Sequence, residues 1–403
     1  FSTVFYANIV FCMILYILLF FASPFIAKFY DMPELTSVVR VLGLTIVISG
    51  VKNVQQAYVS RHMIFKRFFY ATLGGTIGAA VIGILMAYLG CGVWSLVAQN
   101  LFNLTVDTII LWITVKWRPE LKFSWKRLKV LYSYGWKLLL SSLLHTVYTD
   151  IRQLIIGKLY SSESLALYNK GKQFPNLIAT NINNSIDSVL FPAMSVAQDN
   201  KEKVKKMTCI SIRVSGYIMW PVMIGLSAVT EPLVRILLTD KWIGCIPFLR
   251  IFCITNAFQP IHTANLNAIK AMGRSDLYLK LEIIKKVTGI AILLAVMNFG
   301  VMAIGYSLLV YSVFAQIVNS WPNRELLNYS YKDQLKDIVP FIILSLVMAV
   351  PIYFIGKLPL PLIVVLAIQV ITGAIIYIAE SLIFKLDTFE FIKDRLSELL
   401  RKK

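Results

Sequence analysis

Two stretches of this 403-residue chain gather polar side chains at helical spacing inside apolar text. In the first, His145, Tyr148 and Arg152 fall at i, i+3 and i+7, which sets them on one helical face, while Asp150 points elsewhere. In the second, Lys172, Asn176, Thr180, Asn183 and Asp187 recur every three or four residues. Rows of cationic, amide and hydroxyl groups suit a hydrated path for a ligand that carries negative charge and many hydroxyls. Arg152 and Lys172 are the anion contacts such a path would use. The other reading is that their long stems carry the charged heads out to an interface.

Lys52 and His262 form a second constellation, beside Asn53 and Gln56 in one case and Asn265 and Asn267 in the other. They occupy matching positions of an internal repeat, which suggests exposure to one lumen. Two readings stay open beside it: Lys52 snorkels toward an interface, and His262 is a satisfied packing histidine. Asp107, Asp150 and Asp187 are the carboxylates able to carry H+ or Na+, and no spacing separates the two ions. Asp107 has a simpler reading as a helix-helix partner of Lys52.

No other chemistry is spelled out. The five cysteines, Cys12, Cys91, Cys209, Cys245 and Cys253, lie scattered in apolar context with no metal-ligand spacing. No Walker loop occurs, which argues against primary ATP drive within the chain, and no cofactor is expected. The chain begins at Phe1 with no basic n-region or cleavage site ahead of its first apolar run.

The elements that must position these residues are membrane helices. Hydrophobic residues make up 58% of the chain and mean hydropathy is +0.70, far above a soluble protein. Ionisable groups inside such segments cost about 2.5 to 3.5 kcal/mol each, so they face a cavity or a partner. About twelve apolar stretches approach the roughly 20 residues a spanning helix needs. They run over 4–27, 38–59, 68–89, 92–115, 135–158, 165–192, 208–229, 247–269, 279–299, 301–321, 338–356 and 360–384.

The formal net charge of +19 is not a nucleic-acid signature, because its placement follows the membrane. Basic residues crowd alternate connections: Arg61, Lys66 and Arg67; then Lys116, Arg118, Lys122, Lys126, Arg127 and Lys129; then Lys201, Lys203, Lys205 and Lys206. Lys270, Arg274, Lys280, Arg324, Lys332, Lys336, Lys393, Arg395, Arg401, Lys402 and Lys403 continue the series. The opposite connections hold chiefly Lys28, Lys158, Arg235, Lys241 and Lys357. The bias makes the even-numbered connections and the C-terminus cytoplasmic. Two of these segments, WRPELKFSWKRLKVLYSYG and FEFIKDRLSELLRKK, interleave aromatic, aliphatic and basic residues and suit anionic lipid surfaces.

The chain also matches itself. SPFIAKFY with Pro24 resembles EPLVRILL with Pro232, VVRVLGL with Arg40 resembles FLRIFCI with Arg250, and YLGCGVWSLV with Gly90 resembles NFGVMAIGYSLL with Gly300. The offsets are about 208 to 210 residues, as in a duplicated transporter half. Counterparts of 135–158 and 165–192 would fall before Phe1, so an opening hairpin is expected upstream. The expected organisation is an N-terminal lobe 1–115, an amphipathic linker 116–134, a C-terminal lobe 135–321, an extra helix pair 338–384 and an amphipathic tail 385–403. Gly74, Gly75, Gly78 and Pro175 are candidate close-packing or bending points.

The runs FKRFFYATLGGTIGAAVIGILMAYLGCGVWSLVAQN, LIIGKLYSSESLALYNKGKQFPNLI, VLFPAMSVAQDNKEKVKK and VTEPLVRILLTDKW with PFLRIF resemble bacterial polysaccharide repeat-unit flippases of the MOP exporter superfamily. The resemblance covers about residues 50 to 320 and is sharpest in IGKLYSSESLALYNKGKQFP. It implies an all-α polytopic membrane protein, fourteen helices when complete, with two parallel six-helix lobes around a central cavity. It implies a multi-pass protein of the bacterial cytoplasmic membrane. The cargo would be an undecaprenyl-pyrophosphate-linked oligosaccharide, moved from the inner to the outer leaflet by alternating access. A polysaccharide polymerase and export machinery would be partners. Many relatives carry an Arg-Asn pair and then Asp-Asn before the IGK-like stretch, where this chain reads YTDIRQLIIGK, so Asp150 and Arg152 depart from that pattern. Multidrug exporters and lipid II flippases of the same superfamily are the alternative. A membrane polymerase or ligase fits less well, because the longest outer connection, 230–246, holds no carboxylate pair or His cluster.

Overall fold

The computed structural model describes the backbone of residues 1–62 and 65–401. Side chains are described throughout that range except at 65–68, 71, 127, 130, 131, 133, 134, 137, 138, 141, 144, 145, 395, 396 and 399–401. The His145 side chain, and those of Lys66, Arg67, Arg127, Arg395, Arg401, Lys402 and Lys403, therefore lie outside the described residues.

The chain is all-helical. Each of the twelve expected segments falls on helix: α1 (Ser2–Tyr30), α2 (Leu35–Arg61), α3 (Phe65–Tyr88), α4 (Val93–Thr114), α5 (Trp125–Leu159), α6 (Ser162–Val196) and α7 (Lys201–Ala228) come first. A short α8 (Thr230–Leu238) and a 3₁₀ segment, Asp240–Cys245, lead into α9 (Ile246–Ala257) and α10 (Gln259–Ala271). Then follow α11 (Ser275–Val296), α12 (Val301–Leu327), α13 (Tyr331–Ile355), α14 (Leu362–Ile383) and α15 (Asp387–Arg401). Among the described residues eight helical runs are long and apolar enough to cross a membrane: α1, α2, α4, α7, Asp240–Ala271, α12, α13 and α14. The remaining four expected segments lie on α3, α5, α6 and α11. Of these, α3 has an apolar stretch of its own over Thr72–Tyr88, while α6 carries the polar row read from the sequence.

The expected segment 247–269 is two helices, because Pro260 near the start of α10 has no amide to continue the ladder and α9 ends at Ala257. The later part of the expected linker, from Trp125 onward, is helical and continuous with the 35-residue α5. Two compact units divide within that helix, Phe1–Thr149 and Asp150–Lys403.

In the first unit α1 packs on α2, α2 on α4 and α3 on α4. Pro24 lies inside α1 and leaves the Phe20 carbonyl without its helical amide. Ser23 Oγ (2.7 Å) and Arg40 Nε of α2 (3.4 Å) donate to that carbonyl, and the Arg40 guanidinium stands 4.2 Å from the Phe20 ring centre. The glycines of α3 are packing positions: a Cβ at Gly75 would stand 2.9 Å from the Asn103 carbonyl oxygen, and Gly74 and Gly78 abut Ile110 and Phe102 in the same seam.

In the second unit the buried core joins α6, α7, α9, α10, α13 and α14, with Met219, Met223, Leu249, Ile261 and Ile338 fully enclosed. The α12–α13 connection is fastened by Asp337, which accepts from Arg213 of α7 (2.7 Å) and from the Tyr329 hydroxyl (2.6 Å). Burial, and then the Asp337 carboxylate, push the Tyr329 hydroxyl well above the usual phenol range.

Candidate functional site

The polar row on α6 is divided between two settings. Ser161 caps the helix by accepting from the Ser164 amide at 3.1 Å. About three to four turns further on, Lys172 and Asn176 line a cavity of about 560 Å³ that Trp242 of the 3₁₀ segment also borders. Thr180 is exposed. Beyond it the row turns onto α10: Asn183 Oδ1 accepts from Thr263 Oγ1 at 2.6 Å, and Asp187 Oδ1 accepts from Asn267 Nδ2 at 2.7 Å. Both pairs step by four residues on each helix, so this half of the row is a hydrogen-bonded seam between α6 and α10.

On α5, Arg152 is 6% exposed, so its head does not reach an interface. Its Nε and Nη2 are buried without a hydrogen-bond partner, and the guanidinium stands 5.8 Å from the Tyr311 ring centre. The Tyr148 hydroxyl is likewise buried and unpartnered. Asp150 accepts from Gln153 Nε2 one turn along its own helix at 2.9 Å.

Lys52 of α2 and Asp107 of α4 form an ion pair in which the two side chains keep 15% and 10% exposure. The helix-helix reading of Asp107 is therefore the one the structure shows, and Lys52 does not snorkel. Asp107 Oδ1 remains buried with no partner. The repeat counterpart His262, on α10, is half-buried, with Nδ1 3.2 Å from the Asn319 amide nitrogen.

That contact opens onto a buried amide network that sequence reasoning missed. Asn265 and Gln334 exchange two hydrogen bonds of 2.9 Å, Asn323 Nδ2 donates to Asn265 Oδ1 at 2.6 Å, and Gln316 Nε2 reaches Gln334 Oε1 at 3.4 Å. The signal was present on α12, where Gln316, Asn319 and Asn323 stand at i, i+3 and i+7 in apolar text.

A fold of many apolar helices long enough to cross a membrane, with a polar amide network enclosed among them, is that of a polytopic membrane protein. The chain belongs to the polysaccharide biosynthesis protein family, whose model matches residues 1–247. The resemblance read from its motifs, to a bacterial polysaccharide family, is thereby borne out. It is 23% identical over 335 residues to the teichuronic acid biosynthesis protein TuaB of Bacillus subtilis (strain 168), covering 82% of this chain and 68% of that one. It is 23% identical over 274 residues to the succinoglycan biosynthesis transport protein ExoT of Rhizobium meliloti (strain 1021), covering 68% and 55%. With the lipopolysaccharide biosynthesis protein WzxC of Escherichia coli (strain K12) the identity is 22% over 286 residues, covering 70% and 58%. The chain thus spans between about half and two thirds of the length of these relatives. Among solved structures, the lipid II flippase MurJ in its inward closed conformation superposes with a TM-score of 0.77 at 14% identity, covering 96% of this chain and 84% of that one. That likeness is one of fold.

Proposed function

We propose that this chain moves lipid-pyrophosphate-linked oligosaccharide repeat units from the inner to the outer leaflet of the bacterial cytoplasmic membrane by alternating exposure of a hydrated path. The observation that carries this reading is the buried Nε and Nη2 edge of the Arg152 guanidinium, which has no hydrogen-bond partner. A buried charge without a partner costs several kcal/mol, which a ligand anion offsets when it arrives. Nε and Nη2 share the guanidinium edge that presents two parallel donors, the geometry an oxyanion of a pyrophosphate accepts. Asn176 would supply a further contact to sugar hydroxyls, and Lys172 a further contact to negative charge on the cargo. Within this reading the membrane itself and a downstream polymerase and export apparatus are the partners, and the C-terminus faces the cytoplasm.

Coupling to H+ or Na+ belongs to the same proposal. Asp107 is neutralised by Lys52, and Asp150 bonds within its own helix. Asp187 alone of the three accepts from a different helix through an amide, so its charge state bears on the α6–α10 seam.

The test is translocation in vesicles containing the purified chain and a labelled polyprenyl-pyrophosphate oligosaccharide, read by an impermeant reagent. Wild type exposes the label, and Arg152→Gln slows exposure at least about tenfold at equal protein level. No exposure by wild type, together with ion-driven efflux of cationic dyes, would replace this reading with that of a drug exporter.

A further inference from the structure

The cavity that receives Lys172 carries more chemistry than the α6 row accounts for. Asn169, Lys170, Lys172, Gln173 and Asn176 of α6 border it together with Trp242, and among the described residues its lining contains no carboxylate. The nearest acids of the adjoining segment, Glu231 and Asp240, are both turned to Arg235, at 3.0 and 2.7 Å. Lys170 Nζ sits 5.3 Å from the Trp242 ring centre and 3.2 Å from Gln173 Oε1, which holds the ammonium over the indole face instead of out along the helix.

Lys170 and Lys172 are two residues apart and would diverge on an isolated helix. Gly171 between them resolves this. An added Cβ there would stand 2.5 Å from Phe248 Cβ, 2.8 Å from the Leu249 amide nitrogen and 3.0 Å from the Cys245 carbonyl oxygen. The missing side chain lets α6 and the 3₁₀–α9 corner meet backbone to backbone, and that contact brings Trp242 alongside both lysines.

An indole face binds the apolar C–H face of a sugar ring, amides both donate to and accept from hydroxyls, and ammonium groups neutralise an attached carboxylate. A site for lipid phosphate alone would have no use for the aromatic platform. We propose that this cavity selects an acidic saccharide residue, such as a uronic acid, within the transported glycan, with Trp242 as platform and Lys170 and Lys172 as the carboxylate contacts. The proposal rests on the transport reading above and names the class of sugar that it handles.

Calorimetry on the full chain in nanodiscs tests it, with three probes: a glucuronic-acid-containing disaccharide, its carboxyl-reduced counterpart and inorganic pyrophosphate. The acidic disaccharide is expected to bind at least about tenfold more tightly than the reduced one. Lys170→Gln with Lys172→Gln removes that preference and leaves the affinity for the reduced form unchanged. Trp242→Ala weakens binding of both, while Trp242→Phe, which keeps a ring, retains most of it. Equal affinity for the two disaccharides, no binding up to ~10 mM, or displacement by pyrophosphate at lower concentration overturns the assignment. A vesicle assay separates this from the transport reading. If acidic and neutral lipid-linked saccharides move at the same rate, the site is wrong and translocation stands. If the chain discriminates the disaccharides and moves neither lipid-linked form, the site stands and translocation falls.

Discussion

Tyr377 of α14 donates its hydroxyl hydrogen, at 2.9 Å, to the backbone carbonyl of Tyr217 on α7, and the reason lies four residues further on. Residue 221 is proline, so the Tyr217 carbonyl has no amide to accept from inside its own helix. In a membrane interior no water can take that role, and a side chain from the neighbouring helix does so. The same arrangement recurs in the other unit, where Pro24 frees the Phe20 carbonyl and Arg40 approaches it. Proline in these helices is thus coupled to a specific residue on the adjacent helix, and each pair fastens two spans together.

Removing the Tyr377 hydroxyl leaves a buried carbonyl unpaired. Tyr377→Phe should lower stability by about 1 to 3 kcal/mol, read as a fall in the melting temperature of the detergent-solubilised protein. In a Pro221→Ala background the alanine amide takes the carbonyl, and the same substitution should then cost under about 0.5 kcal/mol. Equal losses in both backgrounds would mean that the hydroxyl acts through some other contact.

The Lys52–Asp107 pair has two side chains of low exposure, so each member depends on the other. Lys52→Gln or Asp107→Asn alone should destabilise the first unit by about 3 to 5 kcal/mol and cut the amount of protein recovered from membranes. Lys52→Met combined with Asp107→Leu removes both charges and should recover most of the yield. A double variant no better than either single one would show that the residues serve something other than each other.

Asp187 is set apart by its bond to Asn267 across the α6–α10 seam. Asp187→Asn keeps a carbonyl oxygen able to accept from that amide, so the variant should fold with a melting temperature near wild type. It can no longer change charge. In vesicles the translocation rate should therefore lose its dependence on an imposed pH or Na+ gradient while a basal rate persists. A gradient response that survives the substitution moves the coupling site elsewhere.

The helices were legible because lengths of apolar sequence follow from the thickness of a bilayer, a constraint that acts on each segment alone. The break between α9 and α10 shows in the sequence only as Pro260 inside a continuous apolar run, which by length alone spells one span. Spacing told which face of α5 Arg152 occupies but not how deep that face lies, since depth depends on what packs against it. The Lys52–Asp107 pair could be named because both residues stood out in apolar helices. Gln334 could not be linked to Asn265, because a separation of 69 positions along the chain leaves no local trace. Trp242 was invisible as a site residue for the same reason. Its place is set by a contact at Gly171, and the sequence of its own segment says nothing of it.

Two glycines on either side of that contact give a sharp comparison. A Cβ at Gly171 meets atoms that cannot swing away, Phe248 Cβ at 2.5 Å and the Leu249 amide nitrogen at 2.8 Å, so α6 and α9 must separate to admit it. A Cβ at Gly244 meets Leu167 Cδ1 at 2.9 Å, the far end of a side chain with other rotamers to adopt. Gly171→Ala should accordingly cost about 1 to 3 kcal/mol, the range for overpacking a filled core, and Gly244→Ala under about 1 kcal/mol. Both are measured as melting temperatures of the purified chain. Gly171→Ala should also increase the exposure of Trp242, seen as a red shift in the emission of a variant whose other tryptophans are replaced by phenylalanine. If Gly171→Ala melts with wild type and leaves the emission unmoved, the backbone contact does not hold Trp242 against α6, and the geometry of the cavity must come from another source.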